Sequence, residues 1–286
     1  MKTSLIGIGL ALAITLLIGW GASVGGVTIG GQIPAALMVF FVAFLIQWIA
    51  FIPAFLLKTE KFYDLTGGIT FITVIWLAWI MIPSAPLINT IFALMISIWA
   101  LRLSTFLFSR IHKAGADTRF EEIKKSFFRF LLTWTLQGTW AALSAGPAIA
   151  VLTSNKSPNF PLLSWIGIGI WILGIGFEVI ADLQKSEFRK NPNNKGKFIQ
   201  TGLWAKSRHP NYFGEWFLWF GLTISAIPFL QGFQFVTLIS PIFVYFLLTK
   251  ISGVPLLEKQ ADERWGDQPD YQEYKKRVPE FFPRFF

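Results

Sequence analysis

Long apolar stretches broken by shorter polar ones set the pattern of this chain. Eight of them predict helices, at residues 3–24, 34–57, 66–83, 87–109, 127–152, 161–182, 212–229 and 233–251. Most reach the roughly 20 residues that cross about 30 Å of hydrocarbon at 1.5 Å rise per residue. The third and the last two are the shortest. The first could be read as a signal peptide, since it follows Lys2 and ends in small residues. Its apolar run exceeds a typical signal core and the segment 25–31 has no Ala-x-Ala site, so it reads as a retained helix. The expected fold class is an all-α integral membrane bundle of seven to eight transmembrane helices. Residues 1–110 are expected to form its N-terminal helices, and residues 111–286 the C-terminal helices, cytoplasmic loops and tail of one membrane domain.

Composition narrows the class further. Charged residues are 14% of the 286, against about 25% in a soluble domain. With 30 Phe and 13 Trp as well, soluble, disordered and fibrous readings are excluded. The chain has no Cys, which removes disulfides, thiol nucleophiles and Cys-ligated metals. His112 and His209, the two histidines, are far apart in sequence, so no metal site is expected.

The net charge is +9, and its distribution carries the topology. Loops after the first, third, fifth and seventh stretches hold one basic residue, Lys156. The N-terminus, the other loops and the tail hold nearly all the rest. Basic residues collect on the cytoplasmic side, so both termini are expected inside. The charge is then topology, and a nucleic-acid partner is not expected. Polar residues crowd the inner loops 110–125, 183–211 and 258–286, so any site should open to the cytoplasm. The glycines of GIGIGIWILGIG (167–176) lie inside a span with no strand before them, which reads as close helix packing.

Ionisable residues at membrane depth are candidates by default. Arg102 and Arg110 differ by about 80° around one helix, so both could face one cavity; Arg110 could equally snorkel to the interface. Glu178, Asp182, Lys185 and Arg189 follow at spacings of 4, 3 and 4 on one helix face. An acid–acid–base–base stripe suits a ligand bearing hydroxyls and phosphate, although ion pairing alone could also account for it. In SRHPNYFGEW (207–216), Pro210 turns the chain and Asn211 is expected to cap the next helix. Arg208, His209, Asn211, Tyr212 and Glu215 supply five hydrogen-bonding groups where a cap needs one.

These residues resemble the signature of the steroid 5-alpha-reductase-like membrane proteins, and more closely the bacterial branch called DUF1295. KFYDLTG (61–67), ADTRF (116–120), ADLQKSEFRK (181–190) and the tail GDQPDYQEYKKRVPEFFP extend the resemblance. RHPxYxG strings are similar in isoprenylcysteine carboxyl methyltransferases and phospholipid methyltransferases. The resemblance implies a membrane reductase that takes NADPH from the cytoplasm and passes hydride to the β-carbon of a hydrophobic enone, such as a 3-oxo-4-ene steroid. It implies cofactor contacts from Asp182 and Arg189, with Asn211 and Glu215 at the nicotinamide or ribose end. Arg102 would reach the phosphates, and Tyr271 and Tyr274 lie in the tail that closes over the dinucleotide.

The resemblance has one departure. The steroid enzymes hold the substrate ketone with a Glu and a Tyr, where this chain has Gln47 beside Trp48, and Trp99. Tyr63 and Asp64 are the nearest alternatives, Tyr63 as proton donor and Asp64 as its orienter or as a cofactor ligand; an interfacial aromatic with a helix cap accounts for them equally well. The catalytic candidates are therefore Tyr63, Asp64, Tyr212 and Glu215. The cofactor-binding candidates are Arg102, Arg110, Glu178, Asp182, Lys185, Arg189, Arg208, His209, Asn211, Tyr271 and Tyr274. The spread of the arginines and Lys185 over several inner loops favours a phosphate-bearing cofactor over S-adenosylmethionine. A methyltransferase of a lipid or prenyl-cysteine, and a non-enzymatic lipid-binding protein, are the alternatives. The expected partners are a hydrophobic steroid or lipid substrate and membrane lipids, around a monomer.

Overall fold

The computed structural model describes residues 1–82, 86–114, 117, 120–154 and 160–285. Residues 116, 118 and 119 of the ADTRF motif, Lys156 and the side chain of His112 lie outside the described residues. The chain is a multi-pass all-α membrane protein. Six of its described helical segments are long and apolar enough to cross a bilayer. It divides into two compact units, Met1–Pro161 with Ala226–Ser240, and Leu162–Ser225 with Pro241–Phe286.

The first unit holds α1 (Lys2–Ser23), α2 (Ala35–Leu56), α3 (Tyr63–Ile80), α4 (Leu87–Ala114) and α5 (Phe127–Leu152). α5 packs against the other four and is buried almost continuously from Gln137 to Leu152. Small residues permit this: a Cβ at Gly138 would meet the Phe44 ring at 2.9 Å. The opposite faces are also apolar. On α2, Phe41, Leu45, Ile49, Ile52 and Leu56 recur at helical spacing and are all exposed, as lipid solvation permits. Lipid offers no hydrogen-bond partners, so polar side chains in these helices find one another. Gln47 donates to Thr70 Oγ1 (2.8 Å), Trp48 Nε1 to Thr135 Oγ1 (3.1 Å) and Thr15 to Thr139 Oγ1 (3.3 Å).

Between α1 and α2, in a loop with no strand expectation, a short antiparallel hairpin forms from β1 (Thr28–Ile29) and β2 (Ile33–Pro34). Gly30 and Gly31, at φ +59° and +74°, make its turn, a conformation that only glycine adopts cheaply.

The second unit contains α6 (Leu162–Lys190) and α7 (Pro210–Ala226), then the C-terminal part of α8 (Ile239–Phe246), α9 (Gly253–Trp265) and α10 (Pro269–Arg277). α6 runs 29 residues, roughly 44 Å, and so outlasts the apolar stretch that predicted it. The stretch 233–251 is not one regular helix. A 3₁₀ segment Gly232–Leu238 leads into α8, and a π-helical turn Leu247–Ile251 follows it.

Candidate functional site

Two glycine pairs bring α6 and α7 together. A Cβ at Gly167 would sit 2.6 Å from the Gly221 carbonyl, and one at Gly174 would sit 2.9 Å from that of Gly214; the reverse approaches are both 2.7 Å. Backbone therefore meets backbone. Ser164 and Ser225 seal one end by exchanging hydroxyl-to-carbonyl bonds of 2.9 and 3.0 Å. At the other end the same stripe carries Glu178 and Asp182, both buried, against Gly214, Asn211 and the start of α7. Asn211 Nδ2 donates to Asp182 Oδ1 at 3.2 Å. The acidic end of the α6 stripe and the RHPNY segment thus meet in one polar cluster, and Glu215, in the second turn of α7, is buried as well.

Asn211 does not cap the helix. The Phe213 amide donates to the His209 carbonyl (3.1 Å), so α7 opens at Pro210, whose fixed φ suits a first helical position. Asn211 then lies inside the first turn, its amide group turned to Asp182 and its Oδ1 buried without a hydrogen bond.

The turn before α7 is fastened to the tail. Nε and Nη2 of Arg208 reach the two oxygens of Glu258 at 3.1 and 3.0 Å. Nη1 donates to the carbonyls of Lys275 (3.2 Å) and Val278 (3.0 Å), and Nη2 also meets Glu280 Oε2 at 3.5 Å. Five donors therefore meet five protein oxygens, which makes Arg208 a clasp. Its backbone N–H donates to Pro279, and Ser207 Oγ to Phe281 at 2.8 Å. His209 shares Glu258, with Nε2 2.7 Å from Oε1, and its ring lies nearly parallel to that of Tyr212, at 16° and 6.0 Å. Burial pushes the His209 imidazole below its ordinary value, against the pull of Glu258.

Beside this clasp opens a cavity of about 290 Å³. Its floor is aromatic: Phe188, Phe198, Trp204, Trp265, Tyr271 and Tyr274. Trp204 is fixed by its N–H to the Ala181 carbonyl (3.0 Å), and Tyr274 Oη donates to the Trp204 carbonyl (2.7 Å). Burial raises both tyrosine hydroxyls well above their usual range, so they stay protonated. The rim is cationic, with Lys185, Arg189, Lys195, Lys197 and Arg264; Lys185 Nζ lies 4.3 Å from the centre of the Trp204 ring. Glu258 is the acid of this wall, already engaged by Arg208 and His209. A basic rim over flat rings suits a phosphorylated heteroaromatic ligand.

The structure therefore gathers Lys185, Arg189, Arg208, His209, Tyr271 and Tyr274 around one cavity, with Glu178, Asp182, Asn211, Tyr212 and Glu215 in the same unit. Sequence reasoning missed Glu258, Lys195, Lys197, Arg264 and the tryptophans. Lys195 and Lys197 stood in a basic inner loop, and that was their only signal; Glu258 is joined to Arg208 across 50 residues, which no local pattern shows.

Tyr63, Asp64, Arg102 and Arg110 belong to the first unit. Tyr63 is in the first turn of α3, donates to the Thr133 carbonyl (3.1 Å) and packs on Phe120 and Trp134. Asp64, in the same turn, lines a small cavity of about 20 Å³ with Trp99, Ser104 and Trp140. The Arg102 guanidinium lies 5.9 Å from the Phe106 ring, and Arg110 is exposed on α4. Among the described residues no group of His, Asp and Glu is placed to hold a metal.

A family model described as "Protein of unknown function (DUF1295)" matches residues 50–278. The chain is 32% identical over 135 residues to Delta(14)-sterol reductase ERG24 of Saccharomyces cerevisiae, covering 41% of this chain and 28% of the reductase. It is 22% identical over 223 residues to an uncharacterized protein of Schizosaccharomyces pombe, covering 68% of this chain and 63% of that one. Over 46 residues it is 41% identical to the probable O-methyltransferase ustE of Ustilaginoidea virens, 16% of each chain. The chain thus spans less than two thirds of the length of each of these relatives. No solved structure matches it.

Proposed function

The chain belongs to the DUF1295 family, and we propose that it is an NADPH-dependent membrane reductase acting on the activated C=C bond of a hydrophobic enone. The observation that carries this reading is the cavity: five rim cations, an aromatic floor and one acid already engaged. Its donor set fits the phosphorylated adenosine end of NADPH. Arg189, Lys195, Lys197 and Arg264 would hold phosphate, and Trp204, Trp265 or Phe198 would take the adenine face. Its volume of about 290 Å³ suits that half of the molecule, being at the lower edge of ligand pockets, roughly 300 Å³. NADPH supplies hydride when bound. The remaining chemistry falls to the chain's own groups. Asp182, Asn211 and Glu215 would accept and donate hydrogen bonds at the reacting end, and Tyr212 is the candidate acid beside them. Tyr63 and Asp64 are the corresponding candidates of the first unit. The similarity to a Delta(14)-sterol reductase supports the reaction class and a sterol-like substrate, and the enone follows from the resemblance to the steroid 5-alpha-reductase-like proteins.

A second reading has its own support, the local similarity to a probable O-methyltransferase. Calorimetric titration of the detergent-purified chain with NADPH, NADH and S-adenosylmethionine separates the two. Micromolar NADPH binding, weakened by about 1–2 kcal/mol in Arg189→Ala, supports the reductase. Binding of S-adenosylmethionine alone replaces it with the methyltransferase.

A further inference from the structure

Beyond α10 the chain runs alongside the turn that opens α7. The Arg208 amide donates to the Pro279 carbonyl and the Arg284 amide to the Lys206 carbonyl, both at 2.9 Å, and Ser207 Oγ donates to the Phe281 carbonyl. Residues 206–208 and 279–284 are thus tied together through their backbones, and the phenyl rings of the tail reach the helices. Phe281 is buried, 5.3 Å from the Tyr245 ring of α8. Phe282 meets Trp216 of α7 edge-on at 5.4 Å and stacks on Tyr245 at 6.0 Å, and Phe285 meets Phe177 of α6 at 6.2 Å. The tail therefore straps three helices. It does so on their apolar side, for α6 and the segment that carries α8 are both long and apolar enough to cross a bilayer, and Ile242 and Phe246, which flank Tyr245, are exposed.

Phe282 and Phe285 are themselves 51% and 50% exposed. Between them stands Arg284, also exposed, and its bond to the Lys206 carbonyl sets a second cation on the same short stretch of surface. Among the described residues neither Lys206 nor Arg284 has an acidic partner. Glu280, the acid of this segment, turns back to Arg208 at 3.5 Å. The run 275–284 carries four cations and that one acid. An interfacial aromatic belt accounts for the rings but not for cations left unneutralised among them. Half-exposed phenyls interleaved with basic groups are the composition of a segment that lies in the boundary between headgroups and acyl chains, where an anionic headgroup neutralises the charge.

We propose that Lys206 and Arg284, together with Phe282 and Phe285, form a binding site for the anionic headgroup of a phospholipid, in the leaflet at which α7 begins, and that this lipid fastens the tail. The phosphodiester takes the ammonium and guanidinium groups, and an acyl chain lies along the two phenyls. Arg208, in the same turn, holds the Lys275 and Val278 carbonyls, so the headgroup reinforces that clasp from the membrane side. The site needs only the bilayer and is independent of the nucleotide reading.

The test places the full chain in nanodiscs of phosphatidylcholine, alone or mixed with phosphatidylglycerol, and reads amide hydrogen exchange at residues 279–285. A basic residue near an anionic surface is worth about a fivefold preference, so protection of the tail should rise roughly ten- to thirtyfold in the mixed bilayer, with α5 unchanged as the internal reference. Lys206→Gln with Arg284→Gln should exchange alike in both bilayers and match wild type in phosphatidylcholine, whereas Arg284→Lys should keep the response. Phe282→Ser with Phe285→Ser should lose protection in both. Native mass spectrometry should find phosphatidylglycerol retained by wild type and not by the paired glutamine variant. Inorganic phosphate added to phosphatidylcholine discs should leave exchange unchanged; protection equal to that from phosphatidylglycerol would replace the lipid with a soluble anion. Should the paired variant fail to fold, lipid retention by Arg284→Gln alone decides. Equal tail exchange of wild type in the two bilayers, or a phosphatidylglycerol response that survives loss of both cations, overturns the proposal.

Discussion

Glu258→Ala should loosen, without detaching, the hold of the turn at 207–209 on α9 and the tail while leaving the helices folded. Glu258 is 16% exposed and accepts from both edges of Arg208 and from His209. Breaking a buried ion pair by removing one partner costs about 3–5 kcal/mol. Arg208 keeps three other acceptors, on Lys275, Val278 and Glu280, and the site is only partly dry. The expected loss is therefore about 2–3 kcal/mol, the sum of two charge-assisted bonds discounted for exposure. Amide hydrogen exchange at residues 271–284 reads it directly, as a fall in protection of roughly thirty- to one-hundred-and-fifty-fold at the tail. Protection in α5 should not change. Glu258→Gln keeps one acceptor oxygen for Arg208 Nε and His209 but turns an NH2 donor toward Arg208 Nη2, and should lose about 1–2 kcal/mol. If Glu258→Ala exchanges like wild type, the clasp does not hold the tail and the reasoning from its geometry fails.

Other outcomes follow from the same structure. Gly174→Ala and Gly214→Ala each drive a methyl into facing backbone and should lower stability by about 1–3 kcal/mol in detergent unfolding, while Gly169→Ala, with open space around it, should be neutral. Lys195→Ala with Lys197→Ala should weaken NADPH binding about tenfold and flatten its salt dependence, NADH binding being less affected. Glu60 is buried, which by itself would raise its titration point, but its bonds to Lys124 Nζ (2.7 Å) and the Asp117 amide (3.0 Å) hold it below the ordinary 4.5. A depressed carboxylate stabilises the folded form above its unfolded value and loses that as pH falls through its folded value. Protection of residues 120–126 should therefore decline below pH about 4.5, and Lys124→Met should blunt the decline.

The helices were legible because apolar length is a local property, and the α6 stripe because its period is also local. The glycines 167 and 174 were read as packing residues, which they are; that they face 221 and 214 needed the three-dimensional register. A cap at Asn211 follows only if Pro210 breaks the chain, and proline is equally at home as the first helical residue. The hairpin at 28–34 escaped because two-residue strands carry no periodicity. The stretch 233–251 looked like one helix since composition does not distinguish 3₁₀, α and π windings. At the site, Lys185 and Arg189 were found from their spacing, whereas Glu258 and Trp204 depend on contacts across dozens of residues.

The glycine contact between α6 and α7 has a consequence for how this scaffold diverges. Where helices are kept apart by side chains, every substitution in the seam resets the gauge. Here the gauge is the peptide backbone itself, four carbonyls against four α-carbons, and it has no variable part. Asp182 and Asn211 are therefore held to a spacing that sequence drift in the surrounding helices leaves alone. The chemistry at that end can be retuned by exchanging the side chains themselves, without rebuilding the frame that measures the distance between them.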